Sequence, residues 1–119
     1  MSDKTTTIRE LRDLVEAFID EREWYQFHNP KDLSMAVSVE TSELVEKFLW
    51  ISQQKSWQEV DDNREEIEQE LADVIITAFN FARAANIDIA DAIRKKMELN
   101  AKKYPLAKAK GRYCKYDKL

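Results

Sequence analysis

The amino-acid sequence predicts an all-α protein, an antiparallel helical bundle of four main helices. Three observations carry that prediction. The 119 residues include one Gly and two Pro, so the chain has few places to turn sharply. Charged residues make up 35% and hydrophobic residues 44%, a balance that suits a few long amphipathic helices around a modest core. No stretch shows the alternating pattern of a half-buried strand.

The first helix begins at Thr7-Ile8-Arg9-Glu10, which has the spacing of a capping box. Leu11, Leu14, Val15 and Phe18 continue it at three-to-four spacing, and it ends near Trp24. A short loop, Tyr25 to Pro30, follows. Asn29 suits an N-cap and Pro30 the first helical turn. The second helix runs from about Pro30 to Gln53. Ser56-Trp57-Gln58-Glu59 has capping-box spacing again and opens the third, which continues to about Ala85. Asn86-Ile87-Asp88 breaks the pattern, with Asp88 as cap of the fourth helix. That helix stops near Tyr104, because Pro105 disfavours helical geometry in the residue before it.

Residues 1–106 are read as one domain and residues 107–119 as a basic C-terminal tail, irregular or ordered by a partner. Helices two and three are long for so small a domain. Phe48, Ile75, Ile76, Phe79 and Phe81 spread beyond one narrow stripe, so the long helices are expected to bury surface against copies of the same chain.

Composition excludes several classes. Cys114 is the single cysteine, a free thiol, so neither an internal disulfide nor a cysteine metal cluster forms. The N-terminal MSDKTTTIRE lacks the apolar run of a secretory signal. No run of about 18 apolar residues exists to span a membrane, and a soluble cytoplasmic protein is expected. Charge is uneven: residues 94–118 carry ten Lys/Arg against two Asp/Glu, and most of the acids precede them. One end suits an anion and the other a cation.

The second helix holds an anomaly. With about 100° per residue, Leu33, Ala36, Val37, Leu44 and Ile51 fall within roughly 60° of Glu40, and Glu43 lies on the same side. Ser38, Ser42 and Glu46 lie opposite. The third helix repeats it: Ile67, Val74 and Phe81 fall within roughly 60° of Glu70, with Asp73 on that side. Each long helix thus sets an acid pair into an apolar face. If the two helices are antiparallel neighbours, four carboxylates converge, and they do not all stay ionised in a dry site without a counter-charge. Hard oxygen donors suit Mg²⁺, with Mn²⁺ as a substitute. A single acid pair is ordinary helix surface, and Glu43 also has Lys47 one turn on as an ion-pair partner. Glu65, Glu66 and Glu68 are read as surface. A di-iron bundle needs Glu-x-x-His on two helices, whereas the one histidine, His28, lies in a loop.

Glu40-x-x-Glu43 followed by Glu70-x-x-Asp73 resembles the metal-binding pattern of the MazG-like, all-α nucleoside triphosphate pyrophosphohydrolases. Further segments resemble the dCTP pyrophosphatase branch: Glu23-Trp24-Tyr25-Gln26-Phe27-His28-Asn29-Pro30, Glu43-Leu44-Val45-Glu46-Lys47-Phe48-Leu49-Trp50, Glu70-Leu71-Ala72-Asp73-Val74-Ile75, and Lys96-Met97-Glu98-Leu99-Asn100 through Pro105. The resemblance spans about residues 8–106. It implies Mg²⁺-dependent hydrolysis of an NTP to NMP and pyrophosphate, and an assembly of dimers, often tetrameric. It implies Glu40, Glu43, Glu70 and Asp73 as metal ligands, with Glu43 or Glu40 taking the proton of the attacking water.

The same resemblance implies that Lys96 and Asn100 meet the phosphates. Spacing puts them with Tyr104 on one ridge, which is also what a plain polar surface shows. Trp24 and Trp50 match aromatic positions that form the base pocket, though an indole serves equally well in packing. His28 matches in position and either bonds the nucleotide or holds its loop. Trp57 has no match and is read as packing. Val15 and Thr77 stand where the branch often has histidine and tyrosine, a departure that weakens the implied preference for dCTP and opens the pocket to a modified or different base; dCTP or a modified pyrimidine dNTP is the expected substrate. Ser38, Thr41 and Ser42 replace small residues on the far side of the helix. The rival reading is a nucleic-acid-binding or non-catalytic helical interaction protein. It draws on Lys108, Lys110, Arg112, Tyr113, Lys115 and Tyr116, but leaves the acids in the apolar stripes unexplained.

Overall fold

A computed structural model describes all residues, Met1–Leu119, and every regular element in it is helical. Helix α1 spans Ile8–Glu21, and both arms of its capping box form. Glu10 N–H donates to Thr7 Oγ1 at 3.1 Å, and Thr7 N–H to Glu10 Oε2 at 2.7 Å. The helix stops three residues short of Trp24. Glu23 takes a left-handed φ of 54°, and Glu23 and Trp24 N–H turn back to the carbonyls of Asp20 and Ile19, which terminates the ladder. A single 3₁₀ turn, Tyr25–Phe27, leads on.

Helix α2, Pro30–Glu46, opens as its sequence predicts: Asp32 N–H donates to Asn29 Oδ1 at 2.9 Å and Pro30 sits in the first turn. It closes earlier than the expected Gln53. Lys47 and Phe48 N–H reach back three residues, to Leu44 and Val45, and this tightening ends the α ladder before Trp50.

The expected third helix is two helices, α3 (Ser56–Asp62) and α4 (Arg64–Ala84). The join is Asn63, at φ −125° and ψ 35°, whose side-chain amide donates to Glu59 Oε1 at 2.8 Å. Asparagine competes with the helix for its own backbone and caps well, and the apolar period runs through such a break unaltered. Nor does the predicted cap at Ser56 form: its hydroxyl donates to Gln53 O at 2.6 Å, and Lys55 takes the cap position.

The chain forms two compact units, Met1–Asn86 and Ile87–Leu119. In the first, α2 packs along α4, with α1 and α3 also against α4. Residues rising along α2 meet residues falling along α4, so the pair is antiparallel. Ile19 of α1, Leu33 of α2, and Phe79 and Ala82 of α4 are the buried apolar side chains. An Arg83–Asp20 ion pair at 2.9 Å ties α4 to α1. Further along the pair, Leu49 and Leu71 stay 56% and 48% exposed.

In the second unit, α5 (Ile89–Lys103) is capped by Asp88, whose Oδ1 accepts from Asp91 N–H at 2.8 Å. A short α6 (Leu106–Ala109) and a 3₁₀ turn at Tyr116–Lys118 follow. The tail expected to be irregular is therefore partly regular. The Tyr116 ring meets that of Tyr104 edge-on at 6.1 Å, and the Lys103 ammonium lies 5.0 Å from the Tyr116 ring centre.

Candidate active site

The α2–α4 register brings the acids together. One carboxylate oxygen each from Glu40, Glu43 and Glu70 lies within 4.8 Å of the others. All three side chains are partly buried, as their apolar neighbours predict. Glu40 Oε2 and Glu70 Oε2 are buried without a hydrogen-bond partner. An acceptor left without a donor in such a place costs free energy, so these oxygens are poised for something they do not find within the chain.

Electrostatics records the same tension. The Glu43 carboxyl is pushed above the usual carboxylate range, first by sharing a proton with Glu40 and by its charge, then by desolvation. The Glu70 carboxyl is raised too, chiefly by desolvation and then by the Glu43 charge, while Lys47 acts the other way. Oxygen donors with two orphaned lone pairs and crowded negative charge form a donor set that fits a hard divalent cation such as Mg²⁺ or Mn²⁺.

Asp73 is not part of this cluster. It is exposed, one turn beyond Glu70 on α4, close enough for its charge to raise the proton affinity of Glu70. The structure thus unites three of the four expected acids. Ser38, Thr41 and Ser42 do lie on the exposed side of α2. The Thr41 and Ser42 hydroxyls donate to the carbonyls one turn back, at 2.8 and 2.9 Å, and so need no outside partner.

Lys47 departs from expectation. Its ammonium bridges α2 to α4, 3.1 Å from Glu66 Oε2, rather than pairing with Glu43 along its own helix. Local spacing gives no sign of a pair nineteen residues apart. The sign lies in the register. Once Glu43 faces Glu70, a step of four along each antiparallel helix sets Lys47 against Glu66.

His28 lies on the loop before α2, partly buried, with Nδ1 buried and unpartnered. Its ring meets Tyr25 edge-on at 6.1 Å, and the Arg83 guanidinium stacks 3.9 Å from the Tyr25 ring centre. Burial first, and then the Arg83 charge, depress the proton affinity of His28, so the imidazole stays neutral at pH 7. Sequence spacing does not reach Arg83, because only the fold sets the end of α4 beside the loop. Trp24 packs edge-on to Phe18 at 5.8 Å and is 46% exposed, while Trp50 is 93% exposed. Trp57, expected in packing, is 76% exposed beside a hollow that it shares with Phe48 and Val60. Val15 and Thr77 are partly buried on α1 and α4, and the Thr77 hydroxyl bonds back to the Val74 carbonyl at 2.9 Å.

The phosphate ridge expected from sequence falls in the second unit. Lys96 is exposed and Asn100 partly buried on α5. Tyr104 has already left the helix, at φ −121° and ψ 69°, and turns its ring to Tyr116.

Comparison with known proteins gives concordant results. A model described as the MazG-like family matches residues 35–119, a span that runs from within α2 through the tail. The chain is 35% identical over 117 residues to dCTP pyrophosphatase 1 of Rattus norvegicus, covering 95% of this chain and 68% of that protein. It is 33% identical over 115 residues to dCTP pyrophosphatase 1 of Homo sapiens, with the same coverage. Its fold superposes on the crystal structure of a pyrophosphatase from Archaeoglobus fulgidus with a TM-score of 0.80 and 34% identity, covering 88% of this chain and 98% of the other. Paired acids on two antiparallel helices, an all-helical fold and similarity along nearly the whole chain agree, and the chain belongs to the MazG-like family.

Proposed function

We propose that this protein is a divalent-cation-dependent nucleoside triphosphate pyrophosphohydrolase, cleaving a (d)NTP and water to (d)NMP and diphosphate. The observation that carries the reading is the Glu40–Glu43–Glu70 cluster with its two buried, unpartnered oxygens. Glu40, Glu43 and Glu70 would hold the cation, Mg²⁺ or Mn²⁺, with Asp73 as the fourth ligand. When bound, such a cation offsets phosphate charge and polarises the phosphoryl oxygens. Glu40 and Glu43 are the candidates to receive the proton of the attacking water.

Trp24 and Trp50 offer indole faces for a base, and His28 offers a neutral hydrogen-bonding group on its own loop. Lys96, Asn100 and Tyr104 are the residues for the triphosphate. The similarity to dCTP pyrophosphatases supports dCTP or a modified pyrimidine dNTP as substrate. House-cleaning of the cytoplasmic nucleotide pool is the role proposed for that reaction. No helix is long and apolar enough to cross a membrane. Residues 1–106 would make up the catalytic domain and 107–119 a basic extension.

The assembly is a homo-oligomer, a dimer of dimers. In support, the α2–α4 pair bears a hollow of about 620 Å³ lined by Leu44, Val45, Phe48, Leu49, Ile67 and Leu71. Apolar side chains left half-exposed along two long helices are what a two-fold partner covers.

A panel of dNTPs and NTPs, assayed for monophosphate and diphosphate with Mg²⁺ and with chelator, tests the reading. Release of both products from a pyrimidine dNTP, lost on chelation, is the expected result. Release of orthophosphate, or turnover unaffected by chelator, contradicts it.

A further inference from the structure

Lys47 and Glu66 form the rung next to the carboxylate cluster, and neither has a part in the reaction proposed above. Lys47, the C-cap of α2, lies one turn beyond Glu43, and Glu66 one turn from Glu70 on α4. Their ion pair at 3.1 Å crosses between the helices, with the Lys47 side chain 27% exposed and that of Glu66 64% exposed. The Lys47 ammonium also acts electrostatically on Glu70 and Glu46. A lysine at this point is a hazard to a cation site. Its flexible stem lets one ammonium swing between acids on either side, and Glu43 is at the favourable i, i+4 spacing.

We propose that Glu66 is a positioning residue that holds the Lys47 ammonium away from the carboxylate cluster, leaving Glu40, Glu43 and Glu70 free to bind a divalent cation. Without Glu66, the ammonium turns to Glu43 or Glu70 and becomes an internal competitor of the cation. The pair as a whole is neutral, so removing both members leaves the field at the cluster nearly unchanged. Removing Lys47 alone leaves Glu66 as an added negative charge beside the site. The inference rests on the cluster being a divalent-cation site, as proposed above.

Calorimetric titration of Mn²⁺ into the full-length protein, without nucleotide, tests it. Near neutral pH and moderate salt, Glu66→Gln is expected to weaken binding about five- to tenfold, the scale of one charge at a few ångströms in a partly exposed site. Lys47→Gln is expected to tighten it by about threefold, and the double substitution to return it within about twofold of the unsubstituted protein. Circular dichroism checks that each variant keeps its helices. If Glu66→Gln binds as the unsubstituted protein does, or the double variant is as weak as Glu66→Gln, the positioning role is overturned while the cation site stands. Absence of saturable Mn²⁺ binding in the unsubstituted protein overturns the cation site, and this inference with it.

Discussion

At the scale of single residues, the cluster sets its own chemistry. Glu40→Gln keeps shape and removes a negative charge from the cation's donor set, so turnover is expected to be abolished while the helical circular dichroism persists. Asp73→Asn is expected to do the same, since Asp73 is proposed as the fourth ligand on the family pattern rather than on its place in this chain. Full activity in either variant counts against the site. The raised proton affinities of Glu43 and Glu70 also predict a pH dependence. A carboxyl that binds its proton more tightly folded than unfolded stabilises the fold fully below its unfolded value of 4.5, and that contribution is lost as pH rises through the raised folded value. In chelator, Glu43→Gln should therefore melt at a higher temperature than the unsubstituted chain at about pH 8, and the gap should close toward about pH 5. A gap that grows on acidification refutes the argument. Sequence exposed these acids because helical geometry puts them among apolar neighbours. It did not expose the Lys47–Glu66 rung or the stacking of Arg83 on Tyr25, because both join residues whose meeting depends on how helices pack.

At the scale of elements, the local code is read well at starts and poorly at stops. Thr7, Asn29 and Asp88 each place an oxygen where the first free N–H groups need one, and each forms its predicted bond. Ends and breaks lack so local a signature. The left-handed turn after α1 falls on Glu23, a residue with a Cβ in a conformation that favours glycine. Glu23→Gly is accordingly expected to stabilise the protein by about 0.5–1 kcal/mol in a urea melt, the relief of backbone strain outweighing the entropy gained by the unfolded chain. A loss of stability shows that the Glu23 side chain has packing value its position does not suggest. Asn63 is the other instructive case. The apolar period passes through it, so the sequence reads one helix, yet the Asn63 amide bonds to Glu59 and the helix is interrupted.

At the scale of the whole molecule, the apolar side chains left half-exposed along α2 and α4 matter most. Leu49 lines the hollow on this pair and is more than half exposed. A carboxylate there is compatible with a solvated surface but costly inside an interface. Leu49→Asp is therefore expected to shift the protein toward single-chain mass in sedimentation, with little change in helix content. An unchanged mass places the subunit contact elsewhere. By itself the sequence determined that the protein is all-helical, where α1, α2 and α5 start, and that Glu40, Glu43 and Glu70 stand among apolar residues. These follow from caps and from the angle between successive residues, which are local. Tertiary structure alone decided that Glu40, Glu43 and Glu70 meet while Asp73 stands aside, and that Lys47 turns to Glu66. The physical reason is that the register and separation of two packed helices arise from many small contacts summed along their length, and no short stretch of chain carries that sum.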